Sequence, residues 1–340
     1  MSDNGHKKIL FSVIIPITTV NDYLEETCRE LRRLDKDNFE ILIFSNKLEG
    51  NVNEWEERLG AKIIEIGDVS PAIKRDMALK YAQGEYLAFT DDDAYPDARW
   101  LEVAEKYLTG KGIAAIGGPQ ITPPGDSFWQ KVSGAMFMSP LSGRAVIRYV
   151  PGKKIREVKD WPSVNFFVKR KDFEEIGGFS CGYYPGEDTK LCLDIIKKLK
   201  KKILYIPDLI VYHHRRSGFL RHLRQTGKYG LHRGYFAKVY PETSREFRTL
   251  YFVPSLFVIF LIAGAAISFY SPFFLKIYLF SIAFYFLLVV LSTVWLFNKT
   301  KSFLISVATI PYLISFHIWY GIRFIQGLIF TKNLKSKLGR

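Results

Sequence analysis

The chain has 340 residues, of which 48% are hydrophobic, 24% charged and 15% aromatic. That suffices for one large domain or two modest ones and excludes a collagen, a disulfide scaffold or a disordered tail. The net charge of +14 is unevenly placed. Residues 1–211 hold 31 Lys and Arg against 32 Asp and Glu, whereas residues 212–340 hold 17 basic residues against two acidic ones, Glu242 and Glu246. A chain of this kind meets an anionic surface with one end only. The basic end is also the apolar one, which puts nucleic acid well behind a membrane as the partner.

At the amino terminus Lys7 and Lys8 precede an apolar run over 9–17, but no small-residue cleavage site follows. The run is expected to be a buried strand rather than a secretion signal. Further short apolar or β-branched runs stand at 39–45, 61–66, 85–90 and 114–117, with helical patterns between them. The clearest helix spans 70–83, with Ser70 as N-cap, Pro71 in the first turn and Gly84 as the stop. This alternation predicts a parallel, doubly wound α/β sheet whose ligands sit beyond the carboxyl ends of the strands. Residues 120–164 break the rhythm with Pro and Gly and are expected to form an irregular insertion over the sheet edge, part of an acceptor cleft. A second unit follows: a strand at 165–168, helices at 171–176 and 189–200, and a strand at 202–206. Cys28, Cys181 and Cys192 are odd in number and lack metal-type spacing, so they read as reduced core thiols.

Three polar clusters stand out. Asp91-Asp92-Asp93 follows an apolar strand. Three adjacent carboxylates need a counter-charge, and on an extended chain Asp91 and Asp93 share one side. Two carboxylates so placed can hold a Mg²⁺ or Mn²⁺ that also binds a nucleotide's phosphates. The plainer reading is an acidic surface turn before the helix at Arg99, and placement after a strand favours the metal. Gly186-Glu187-Asp188 opens a helix, where Asp188 can serve as an ordinary cap or as an exposed general base. His213-His214-Arg215-Arg216 follows a strand-like segment at 209–212, and either one histidine completes the metal shell or the group is a polar loop facing a membrane.

Together these residues resemble an inverting, family 2 nucleotide-sugar glycosyltransferase of the GT-A fold. The resemblance spans about Ser12 to Gly234 and rests on six motifs in order: Val13-Ile14-Ile15-Pro16, Lys74-Arg75-Asp76 leading to Ala82-Gln83-Gly84-Glu85-Tyr86, Phe89-Thr90-Asp91-Asp92-Asp93, Gly177-Gly178-Phe179, Gly186-Glu187-Asp188, and Val211-Tyr212-His213. It implies that Asp91 and Asp93 are the metal pair, with His213 a third ligand to Mn²⁺ or Mg²⁺. Asp188 would be the base that deprotonates the acceptor. Lys74, Arg75 and Asp92 would lie by the donor's diphosphate, and Pro16, Ser45 and Asn46 would frame its base. Glu187 and Asn165 would border the acceptor. Where the family usually carries an aspartate after the second strand, this chain has Ser45-Asn46, so the usual expectation of uridine is weakened and guanosine stays open.

Residues 212–250 interleave basic and aromatic side chains, as an amphipathic segment in the headgroup plane would. Gln225-Thr226-Gly227-Lys228-Tyr229 is a loose version of the Q-x-x-R-W element of processive members of the family. Arg215, Arg216, Gln225 and Arg233 are the candidates for holding a phosphorylated acceptor, with a purely interfacial linker as the alternative. Segments 251–270 and 273–297 are long and apolar enough to cross a hydrocarbon core. Segment 303–330 carries Pro311, His317, Arg323 and Gln326 and could span, re-enter or lie in the interface. Basic flanks before 251 and in the tail 331–340 stay cytoplasmic, which favours an even number of crossings. The expected organisation is a cytoplasmic GT-A domain over 1–211, the basic segment, and a membrane domain over 251–330. The expected activity is transfer of a sugar from a nucleotide-sugar donor to a lipid-linked, polyprenyl-phosphate type acceptor at the cytoplasmic face of a membrane containing anionic lipid. A processive polysaccharide synthase and an inactive scaffold of the same fold are the alternatives, and a homo-oligomer stays open.

Overall fold

The computed structural model describes residues 8–179, 185–244 and 248–334; Cys181 lies outside them. In chain order the elements are β1 (Phe11–Pro16), α1 (Asp22–Leu31), β2 (Phe39–Ser45), α2 (Val52–Leu59), β3 (Lys62–Glu65), α3 (Pro71–Asp76), α4 (Ala78–Tyr81), β4 (Tyr86–Phe89), β5 (Ala94–Pro96), α5 (Trp100–Leu108), β6 (Ile113–Gly117) and β7 (Gln120–Ile121). Then come α6 (Phe128–Met138), a 3₁₀ segment (Pro140–Arg148), β8 (Arg156–Val158), a 3₁₀ turn (Ser163–Asn165), β9 (Phe166–Lys169), α7 (Arg170–Ile176), α8 (Glu187–Lys198), β10 (Lys202–Tyr205) and β11 (Val211–His213). The rest is helical: α9 (Phe219–Val239), α10 (Arg248–Ser268), α11 (Pro272–Thr300), α12 (Phe303–Ile325) and a π turn (Gln326–Phe330).

These elements form two compact units. The first, within residues 8–121 and 151–213, is an eight-stranded mixed sheet in the order β3-β2-β1-β4-β9-β6-β10-β8. Strands β1 to β4 run parallel, β9 is antiparallel to both β4 and β6, and β10 is parallel to β6. Every residue of β1 is buried, as expected of a strand covered on both faces. A second sheet, β5-β11-β7, joins three short segments. Its pairing places His213 opposite Ala94, directly after the acidic triplet. The Gly84 motif has a packing origin: its N–H donates to Ser12 Oγ at 2.9 Å, and a Cβ there would lie 2.5 Å from the Ser12 backbone nitrogen.

The second unit comprises residues 122–150 and 214–334. Residues 122–150 of the expected insertion group with the apolar helices, with Val132, Met136 and Phe137 in one buried cluster with Val289, Tyr312 and Leu313. Of the rest of that insertion, Gln120–Ile121 pairs with β11 and Arg156–Val158 with β10. Among the described residues, three helices are long and apolar enough to cross a membrane: Leu250–Ser268, Pro272–Thr300 and Phe303–Phe330. The third is continuous, without the break that a re-entrant loop would need.

Candidate active site

The site is built where the parallel strands end. After β4 the chain delivers Asp91 and Asp93, and β11 delivers His213. One ligand atom from each of the three lies within 4.8 Å of the others. Gln120 Oε1, on β7, lies 2.6 Å from His213 Nδ1. An amide oxygen only accepts, so Nδ1 carries a proton toward it. Nε2 in turn sits 3.2 Å from Asp93 Oδ1. Two acceptors at that separation need a positive charge between them, either a second imidazole proton or a cation. Two carboxylates and one neutral imidazole suit Mn²⁺, and Mg²⁺ less well because of the nitrogen.

Arg75, buried on α3, ties this cluster to the third acidic motif. Its Nη2 donates to Asp91 Oδ1 at 2.7 Å and its Nη1 to Glu187 Oε1 at 3.1 Å. The next residue, Asp76, accepts the Phe179 backbone N–H at 2.7 Å, and a Cβ on Gly178 (φ +77°) would come within 2.3 Å of the Asp76 carboxylate. The Lys-Arg-Asp and Gly-Gly-Phe motifs are thus two halves of one contact, which the spacing alone did not reveal. Phe179 packs edge-on against Phe89, the last residue of β4, at 5.3 Å.

Glu187 and Asp188 open α8. Burial pushes the Glu187 carboxyl well up, the Asp188 charge adds to this, and Arg75 pulls it back. Burial likewise raises Asp188, against Arg75 and against hydrogen bonds from the Ser163 hydroxyl and backbone N–H. Asp188 Oδ1 is buried with no hydrogen-bond partner among the described residues. A carboxylate oxygen held this way, with its proton affinity raised by desolvation, is equipped to take a proton.

Several of the expected ligand residues have hydrogen-bond partners within the protein. Lys74 is buried and donates to Ile17 O and Asn46 Oδ1, tying the ends of β1 and β2 together. Arg75 donates to the two carboxylates. Asp92 is turned to α1, where Asn21 Nδ2 donates to it at 2.7 Å. Asn165 is fully buried: its amide donates to Pro119 O and Leu209 O and accepts the Trp100 indole N–H. Glu187 is buried toward Arg75. Pro16 and Ser45 lie buried at the ends of β1 and β2, and Ser45 Oγ has no hydrogen-bond partner among the described residues. Asn46 is half-buried beside them and donates to Asp68 at 3.2 Å.

The remaining candidates belong to the helical unit. Arg215 is buried there over the Tyr149 ring at 4.7 Å, with Nε donating to Thr122 Oγ1 at 3.3 Å. Arg216 is exposed and Gln225 half-buried, while Arg233 lies over the Tyr251 ring at 5.0 Å. Sequence reasoning missed Gln120 and Ser163, since neither stands in a motif. Cys28 and Cys192 are free and buried, and burial pushes the Cys28 thiol up to about 12.

Residues 12–177 match the family model for glycosyl transferase family 2. The chain therefore carries a family 2 glycosyltransferase domain, set in a GT-A-like mixed sheet. Two curated proteins are similar to it. The glycosyltransferase AglE of Haloferax volcanii is 22% identical over 192 residues, 52% of this chain and 58% of AglE. The poly(ribitol-phosphate) β-N-acetylglucosaminyltransferase TarS of Staphylococcus aureus is 28% identical over 128 residues, 32% of this chain and 22% of TarS. The match thus spans little more than half of the first relative and under a quarter of the second. Among solved structures, the mannosyltransferase PcManGT from Pyrobaculum calidifontis, in complex with GDP-Man and Mn²⁺, is similar with a TM-score of 0.58 at 18% identity, over 89% of this chain and 86% of that one. At that identity the likeness speaks for the fold.

Proposed function

We propose that this protein is a membrane-bound, metal-dependent, inverting glycosyltransferase that moves a sugar from a nucleotide-sugar donor to a lipid-linked acceptor at the cytoplasmic face. The observation that carries this reading is the link from the Asp91, Asp93 and His213 cluster to the neighbour of Asp188: one buried guanidinium, Arg75, donates to both Asp91 and Glu187. Asp91, Asp93 and His213 would hold Mn²⁺ or Mg²⁺, which when bound offsets the negative charge that gathers on a departing diphosphate. Asp188 Oδ1 takes the proton of the acceptor hydroxyl as that oxygen attacks the anomeric carbon, and attack opposite the leaving group inverts the configuration. Ser163 holds the carboxylate in place. Arg75 fixes the spacing between the donor and base halves and keeps the buried acidic cluster from repelling itself apart.

Ser45 and Asn46, which would frame the donor's base, include no carboxylate, so guanosine and uridine donors both belong in the test. The apolar helices and their excess of basic residues support a lipid-linked acceptor carrying phosphate, with Arg216, Gln225 and Arg233 as its candidate partners. Membrane preparations supplied with radiolabelled nucleotide sugar and Mn²⁺ should yield product that extracts into organic solvent. Label that appears only in long water-soluble polymer would favour a processive synthase, and no turnover with any donor would favour a scaffold.

A further inference from the structure

The helical unit contains three apolar helices of spanning length, yet its packing limits how many can cross. α10 and α11 form an antiparallel hairpin: Tyr278 Oη donates to Leu261 O at 3.3 Å, and the Phe257 and Tyr285 rings lie 4.5 Å apart. One end of the hairpin is its turn, where Phe269 and Tyr270 are 90% and 89% exposed. The start of α10 and the end of α11 make the other end, the base. α12 begins at the base, with Ser306 Oγ 3.1 Å from Thr300 Oγ1. A third crossing would carry its far end toward the turn. Instead Phe324 lies 4.8 Å from Phe252, and Ser255 Oγ donates to Gly321 O at 3.3 Å. Both ends of α12 therefore meet the base, while its middle packs across α11, where Tyr285 Oη is 2.9 Å from His317 Nδ1.

α9 supplies an independent observation. It runs alongside α12 in the same direction: His222 meets Tyr312 (rings 5.0 Å apart), a Cβ on Gly227 would lie 2.2 Å from the Trp319 side chain, one on Gly234 would lie 2.0 Å from Phe324 O, and Lys238 donates to Thr331 O. Contact so close fixes the depth of one helix to that of the other. α9 carries Arg221, Arg224, Lys228, Arg233 and Lys238 and no acidic residue, and all but Arg233 are exposed. If α12 crossed the hydrocarbon, it would take these cations with it, where each is expensive to place. Around the base, Lys299 lies over Trp295 at 5.4 Å, Arg323 over Trp319 at 5.8 Å and Arg233 over Tyr251 at 5.0 Å, the residue types of a membrane–water interface.

We propose that α12 is not a third crossing: α9 and α12 form an in-plane pair at the base of a two-helix hairpin, presenting a basic, aromatic face to anionic lipid headgroups. Both ends of the chain then lie on one side of the membrane. This stands apart from the sugar chemistry. The test uses the full chain with Cys181 replaced by Ser, an epitope tag at each terminus and Tyr270→Cys at the hairpin turn, in sealed vesicles before and after permeabilisation. Antibody should reach both tags under the same condition, and an impermeant maleimide should reach Cys at 270 under the opposite one. Tags reached under opposite conditions would overturn the proposal, since that requires an odd number of crossings. So would a residue 270 reached together with both tags, since the hairpin would then not cross.

Discussion

The tautomer of His213 is the most exposed point of the proposed metal site, and Gln120→Leu tests it. The amide oxygen at 2.6 Å keeps the proton on Nδ1 and so leaves Nε2 for a metal. Leucine keeps the volume of a buried side chain and removes the acceptor. Partners of this kind, one step behind a metal ligand, are worth about 10- to 100-fold in metal affinity, or about 1.4–2.7 kcal/mol. Calorimetric titration of Mn²⁺ into the protein with a saturating nucleoside diphosphate should show that loss for Gln120→Leu, with His213→Ala weaker still. Gln120→Glu supplies a carboxylate acceptor in the same place and should retain most of the affinity. Unchanged Mn²⁺ affinity in Gln120→Leu, alongside a clear loss in His213→Ala, would refute the reasoning about the proton.

Three further outcomes follow from the geometry. Asp188→Asn keeps the side chain's shape but removes the base, so transfer should fall at least about 100-fold while donor binding measured by calorimetry stays near wild type; near-normal turnover would remove Asp188 from the mechanism. Glu187 keeps its proton in the folded state to a higher pH than in the unfolded chain, to about 8 against the ordinary 4.5. Across that window the unfolded state binds fewer protons, so this group makes stability fall as pH rises. Glu187→Gln should therefore flatten the decline in melting temperature between pH 5 and 8, and an unaltered slope would count against the buried, protonated carboxyl. Asn165→Ala leaves the Trp100 indole N–H and the Pro119 and Leu209 carbonyls without that amide. It should lower stability by about 3 kcal/mol or more, read by thermal unfolding in detergent.

Much of the sheet was legible because a strand covered on both faces is a continuous apolar run. The runs at 39–45 and 114–117 fall on β2 and β6, and the helix pattern at 70–83 on the closely spaced α3 and α4. The three strands of the second sheet were not fully legible. β5 and β7 are three and two residues long, too short for any periodicity, yet their pairing with β11 brings His213 to Asp93. Periodicity also says which face is apolar but not what covers it. That is why the packing of 122–150, with Met136 and Phe137, inside the helical unit was not legible. The Arg75–Glu187 bridge joins residues 112 apart, and each looked like a ligand in its own motif. Residue type was informative about the chemistry; only the fold separates the groups that would touch substrate from those that hold them in place.

The central claim is that Asp91, Asp93 and His213 bind a nucleotide sugar through a divalent metal. It is tested most directly by a thermal-shift panel of GDP- and UDP-sugars on the full chain, with and without Mn²⁺. A ligand that binds only the folded state at about 100 times its Kd adds about 2.7 kcal/mol. The account predicts that at least one nucleotide sugar raises Tm only when Mn²⁺ is present, and that Asp93→Ala loses the shift. It is contradicted if no nucleotide sugar moves Tm with Mn²⁺, or if the shift persists in Asp93→Ala.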